Sequence, residues 1–119
     1  MARILVVDDA SFMRVRAAKV LTDNGHEVAV AENGREAVSK YAEWRPDAVL
    51  MDITMPEMDG LAALKEIRKL DPAARVAMVT AMGQQAIVME ALKAGAKDFV
   101  LKPFHPDRIL ATLRKLLAA

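Results

Sequence analysis

Asp8 and Asp9 follow the run Arg3-Ile4-Leu5-Val6-Val7, and Asp52 follows Ala48-Val49-Leu50-Met51. Thr80 follows Val76-Ala77-Met78-Val79, and Lys102 follows Phe99-Val100-Leu101. If these four runs are parallel neighbours, three carboxylates, a hydroxyl and an ammonium converge at one edge of a sheet. Three ionised carboxylates at close range repel, and one would keep its proton unless a cation offsets the charge. A hard dication with oxygen ligands meets that need. Mg²⁺ suits a site with few protein oxygens, with Mn²⁺ as a substitute. The pattern points to carboxylate-and-metal phosphoryl chemistry.

The elements that must position these groups alternate along the chain. Strand-like runs are expected at about 3–8, 27–31, 47–52, 75–79 and 98–101, and helical periodicity at about 10–24, 33–44, 58–70, 84–94 and 106–118. Met13, Ala17, Val20, Leu21 and Asn24 share one face of the first helix, and Gly25 follows as its stop. Leu61, Leu64 and Ile67 make one stripe on the third, which Asp71-Pro72 ends. Asn33 is placed to cap the second helix and Gly95 to close the fourth. Five strand–helix units in succession predict an α/β fold, a parallel sheet with helices on both faces. The nearly continuous apolar runs suit strands buried on both sides, whereas Glu27-Val28-Ala29-Val30-Ala31 suits an edge. In such sheets ligands bind beyond the carboxyl ends of the strands.

The totals narrow the classes. At 119 residues the chain is expected to form one domain, residues 1–119, with a core large enough to fold alone. It carries 17 basic and 16 acidic residues mixed along its length, so no basic block argues for nucleic acid. Cysteine is absent, which excludes disulfides and thiolate metal sites. No signal-peptide layout and no apolar run of membrane-spanning length is present, so a cytoplasmic protein is expected. Because the last helical segment runs to the end of this sequence, no attached output domain is expected.

Four motifs, Val7-Asp8-Asp9, the run from Met51-Asp52 through Pro56 to Asp59-Gly60, Val79-Thr80-Ala81 and Lys102-Pro103-Phe104, occur in this order. Together they resemble the receiver domain of bacterial response regulators, and the resemblance runs from Arg3 to about Leu117. The stretches Ala10-Ser11-Phe12-Met13-Arg14 and Ala81-Met82-Gly83-Gln84-Gln85 look most like stand-alone chemotaxis-type receivers. The resemblance, not the periodicity, implies a flavodoxin-like strand order of 2-1-3-4-5.

It also implies roles. Asp52 would be the phosphoacceptor. Asp9 and Asp52 would ligate Mg²⁺ with the backbone carbonyl of Thr54, and Asp8 would hold it through water. Lys102 would pair with a phosphoryl oxygen and Thr80 would hydrogen-bond the phosphoryl group. Phe99 would be the switch aromatic, and Lys102-Pro103 a cis peptide. Such a chain catalyses its own phosphorylation and has no separate turnover substrate. The expected partners are a histidine kinase or phosphotransfer domain, and downstream a flagellar motor switch protein or chemotaxis phosphatase. A monomer is the expected assembly, with a phosphorylation-dependent dimer as the alternative. A phosphorelay intermediate, or the receiver of a larger transcriptional regulator, is the alternative.

Several residues have plainer readings. Asp8 or Thr80 can cap a helix, Phe99 can be a core aromatic, and Lys65, Arg68 and Lys69 read as a solvated helix face. His26 and His105 fall in turns. Phe12 lies off the apolar stripe of its helix and either packs locally or anchors a helical phosphodonor. Met55, Met58, Met82 and Met89 either fill core or border the active face and adapt to partners. A bulky Met82, two residues past Thr80, would shield the phosphoryl group from water. Two other classes are disfavoured. Asp52-Ile53-Thr54 lacks the second acid of a haloacid-dehalogenase phosphatase, and acidic Asp8-Asp9 would repel the phosphate of a bound flavin.

Overall fold

The computed structural model describes residues 2–81 and 83–118. Five strands alternate with five helices: β1 Arg3–Val7, α1 Ser11–Asp23, β2 Glu27–Ala31, α2 Gly34–Trp44, β3 Ala48–Asp52, α3 Gly60–Leu70, β4 Val76–Thr80, α4 Gln85–Lys93, β5 Asp98–Leu101 and α5 Pro106–Leu117. All strand pairs are parallel, in the order β2-β1-β3-β4-β5. This is the expected order, for which chemotaxis receivers are themselves a stock example. Glu27–Ala31 forms the expected edge.

Strand side chains alternate between faces, and the buried residues divide accordingly. Leu5, Val7, Val49, Met51, Val76 and Met78 pack with Ala37, Tyr41, Ala63, Leu64, Ile67, Val88 and Ala91 of α2, α3 and α4. Ile4, Val6, Leu50, Ala77, Val79 and Val100 pack with Ala17, Leu21, Ile109, Leu113 and Leu116 of α1 and α5. The central strands are buried on both sides, hence their unbroken apolar runs.

Local chemistry sets the element ends. Asn33 Oδ1 accepts from Glu36 N at 2.8 Å, the expected cap of α2. Asp59 Oδ1 accepts from Ala62 N at 2.9 Å, so α3 starts at Gly60, two residues later than its apolar pattern suggests. Gly95, with φ at 114°, follows α4. His105 is exposed and caps α5, its Nδ1 accepting from Asp107 N at 3.2 Å. Arg68 departs from the solvated face expected of it. Its guanidinium bonds the carbonyl oxygen of Pro72 and that of Ala74, and lies against Gly95. No described helix is long and apolar enough to cross a membrane.

Candidate functional site

β1 and β3 are neighbours, while β2 and β4 lie outside them on opposite sides. The chain therefore reverses its direction of travel across the sheet between β1 and β3, which opens a crevice at their carboxyl ends. Asp8 and Asp9 stand just past β1, and Asp52 is the last residue of β3. One carboxylate oxygen from each of the three lies within 4.8 Å of the others. Asp8 and Asp52 are buried, at 5% and 6% exposure, and Asp9 is exposed.

Lys102 arrives from the end of β5, two strands away from β3. Its Nζ lies 3.0 Å from Asp8 Oδ2 and 3.1 Å from Asp52 Oδ1. The Lys102–Pro103 peptide bond is cis. Burial pulls the Lys102 ammonium down, but its hydrogen bond to Asp8 and the charges of Asp52 and Asp8 outweigh this and leave its pKa raised. Burial, then the charge of Asp8, pushes Asp52 up from 3.8 to about 6; Lys102 opposes the rise and Asp9 adds to it.

The backbone around Asp52 leaves no slack. Ile53 N donates to Val79 O at 3.2 Å, and Gly60 N donates to Ile53 O at 2.7 Å. A methyl group at Gly60 would overlap the carbonyl oxygen of Asp52, so the start of α3 approaches the acceptor as only glycine allows. Behind β1, Asp8 Oδ1 accepts from Ala10 N at 2.9 Å, and Arg14 Nη1 donates to the Asp8 carbonyl at 2.6 Å. Asp8 thus forms a local turn and does not cap α1, whose N-cap is Ala10 with no side-chain bond.

Thr80 ends β4 and is almost wholly buried. Its hydroxyl donates to Gln84 Oε1 at 2.7 Å, with the Ala81 carbonyl oxygen 3.1 Å away. Thr80 therefore caps no helix, the N-cap of α4 being Gln84. Thr54 is exposed, and its Oγ1 accepts from Gln84 Nε2 at 2.9 Å. Gln84 was legible only as part of a motif, with no role attached. Partly buried Phe99 lines a cavity of about 380 Å³ with Thr80, Val88, Met89, Leu92 and Leu101.

The remaining candidates divide. Phe12 is 71% exposed beside an equally open Val15, so it stands free of the core. Met89 is 56% exposed, and Met58 is partly buried against the α2–α3 cluster. Met55 departs from the partner-facing alternative. It is 7% exposed and belongs to the buried cluster with Ile53, Ala63 and Leu64, because the loop after Asp52 turns it toward the core. Met82 lies outside the described residues.

Three carboxylates facing one ammonium leave surplus negative charge, and every candidate donor is a hard oxygen. The cluster fits a divalent cation of the Mg²⁺ type and offers nothing to a soft metal.

The sequence pattern of the response regulator receiver domain matches residues 4–114. The chain is 59% identical over 116 residues to the chemotaxis protein CheY of Bacillus subtilis, covering 97% of each. It is 58% identical over 115 residues to the chemotaxis protein CheY of Thermotoga maritima, covering 96% of each. Among solved structures, NtrX from Brucella abortus superimposes with a TM-score of 0.94 at 36% identity. That match covers 98% of this chain and 27% of the longer protein.

Proposed function

Because this chain belongs to the response regulator receiver domain family, we propose that Asp52 is its phosphoacceptor and that the mark it carries is a chemotaxis signal. The observation that carries this reading is the Lys102 ammonium lodged between Asp8 and Asp52, 3.0 and 3.1 Å away, at the carboxyl edge of the sheet.

With its pKa at about 6, Asp52 is mostly ionised at neutral pH and is nucleophilic. Its carboxylate oxygen attacks phosphorus of a phosphohistidine or a small acyl phosphate. The bond from phosphorus to the leaving nitrogen or oxygen breaks, and an acyl phosphate forms on Asp52. The leaving nitrogen of a phosphohistidine takes up a proton from solvent. Asp9, Asp52 and the Thr54 carbonyl would hold Mg²⁺, with Asp8 acting through water, and the ion would supply charge neutralisation when bound. Lys102 exchanges a carboxylate oxygen for a phosphoryl oxygen, as a mobile point charge can.

The new group brings negative charge and three acceptor oxygens. Thr80 turns its hydroxyl toward them, and Phe99 rotates into the space beside β4 and α4. The face around α4, β5 and α5 then changes its affinity for partners. Upstream stands a histidine kinase or phosphotransfer domain. Downstream stands a flagellar motor switch protein or a chemotaxis phosphatase, all in the cytoplasm. A receiver within a larger regulator is the second reading, favoured by the match to part of NtrX. The full reading frame of the gene separates the two.

The test is incubation with acetyl phosphate and Mg²⁺, followed by intact mass. A gain of one phosphoryl group that fails with chelator and in Asp52→Asn supports the assignment. No gain in the folded wild type refutes it.

A further inference from the structure

We propose that Gln84 is the latch of the unphosphorylated state: it holds the Thr80 hydroxyl proton that the phosphoryl group must capture. The inference rests on the phosphoacceptor reading of Asp52 and assigns a positioning residue to it.

The orientation of the Gln84 amide follows from its neighbours. Ala81 N–H lies 2.9 Å from one end, and a backbone N–H only donates, so that end is the oxygen. The Thr80 hydroxyl, 2.7 Å from the same oxygen, must donate to it. The NH₂ end then faces Thr54 Oγ1 at 2.9 Å. One side chain thus ties the end of β4, the loop after β3 and the first turn of α4. Gln84 is the N-cap residue of α4, yet its side chain makes no capping bond. Its reach is spent on the sheet edge instead.

A threonine has one hydroxyl proton. Thr80 cannot give it fully to Gln84 and to a phosphoryl oxygen together. Thr80 is 1% exposed, and the Ala81 carbonyl oxygen, 3.1 Å away against 2.7 Å for Gln84, is the weaker acceptor that remains when Gln84 is lost. Phosphorylation must therefore break the Thr80–Gln84 bond, and the strength of that bond sets how readily the resting state yields. Because Gln84 also lines the cavity beside Phe99, its release loosens α4 at the place where the aromatic moves. This gives the two states the differential interaction that any switch requires.

The experiment measures the affinity of the Mg²⁺-loaded protein for beryllofluoride, a stable phosphoryl mimic on aspartate. The set is wild type, Gln84→Ala, Gln84→Met, which keeps the length but not the amide, Thr80→Ala, and the double variants. Loss of the latch should tighten binding by about two- to tenfold, the range of one net hydrogen bond. That gain should vanish in the Thr80→Ala background, where no proton is contested; a merely structural Gln84 would not follow Thr80 in this way. Wild-type binding with no gain in either Gln84 variant overturns the latch alone. So does a gain that survives Thr80→Ala. Failure of the wild type to bind beryllofluoride overturns the acceptor reading and the latch with it.

Discussion

Replacing Asp52 with asparagine should stabilise the metal-free protein at neutral pH, even though it removes one of the two carboxylates that hold Lys102. Asp52 is buried beside Asp8, and the pull of Lys102 does not compensate, so its pKa stands at about 6 rather than 3.8. That difference of roughly two units, at about 1.4 kcal/mol each, makes the ionised form about 3 kcal/mol less favourable in the folded chain. Between the two values the folded protein holds a proton that the unfolded chain has released. Stability therefore falls as pH rises from about 4 to about 6. Asparagine cannot ionise and avoids this loss, while Lys102 keeps Asp8 at 3.0 Å. Urea unfolding of both proteins in chelator, across roughly pH 3 to 8, isolates the effect, because the contributions of all other groups cancel in the difference. The Asp52→Asn variant should be nearly equal to wild type at the acid end and more stable by up to about 3 kcal/mol at the neutral end. Added Mg²⁺ should narrow the gap by stabilising wild type. A difference that does not change with pH, or a variant less stable than wild type at neutral pH, would refute the electrostatic reasoning.

Gly60→Ala should destabilise the fold by about 3 kcal/mol or more, since the added methyl overlaps the Asp52 carbonyl oxygen; urea midpoints would reveal it, and an unperturbed midpoint would mean that α3 can retreat. Lys102→Met should keep the fold but slow phosphorylation by acetyl phosphate about a hundredfold, followed by intact mass against time; an unchanged rate would remove Lys102 from the chemistry. Phe12→Ala should slow phosphotransfer from a histidine kinase while leaving acetyl phosphate reactivity intact, because Phe12 is exposed and free of the core. Equal slowing with both donors would sink its role as a docking anchor.

Much of this architecture was legible because two periodicities alternate cleanly. Strand runs buried on both faces read as unbroken apolar segments, and the polar residue that ends each one marks a carboxyl edge. Parallel pairing then puts Asp8, Asp52, Thr80 and Lys102 along one edge of the sheet. The strand order came from family resemblance, since periodicity says nothing about which strands are neighbours. Boundaries shifted where a side chain decided them: Asp59 delays α3 by capping it. Partnerships across elements were not legible. Arg68 carries a charge at an apparently open helix position, yet it turns back onto the Pro72 and Ala74 carbonyls. Asp98 is a buried acid in β5 whose carboxylate accepts from Thr112 Oγ1 at 3.0 Å, with Arg108 and Lys115 3.6 and 3.7 Å away. A signal for that cluster existed, because residues 108, 112 and 115 fall on one face of α5. Met55 follows a break in periodicity, where no pattern tells inside from outside. The Gln84–Thr54 bond joins residues 30 apart through a side chain that local spacing leaves unremarkable.

The most direct measurement is the location of the phosphoryl group itself. The protein would be phosphorylated with acetyl phosphate and Mg²⁺, then treated with borohydride, which reduces an aspartyl phosphate to homoserine, and its peptides mapped by mass. The account predicts homoserine at position 52 alone, absent when chelator replaces Mg²⁺. Reduction at Asp8 or Asp9, or a phosphorylated chain with no reducible acyl phosphate, would contradict it.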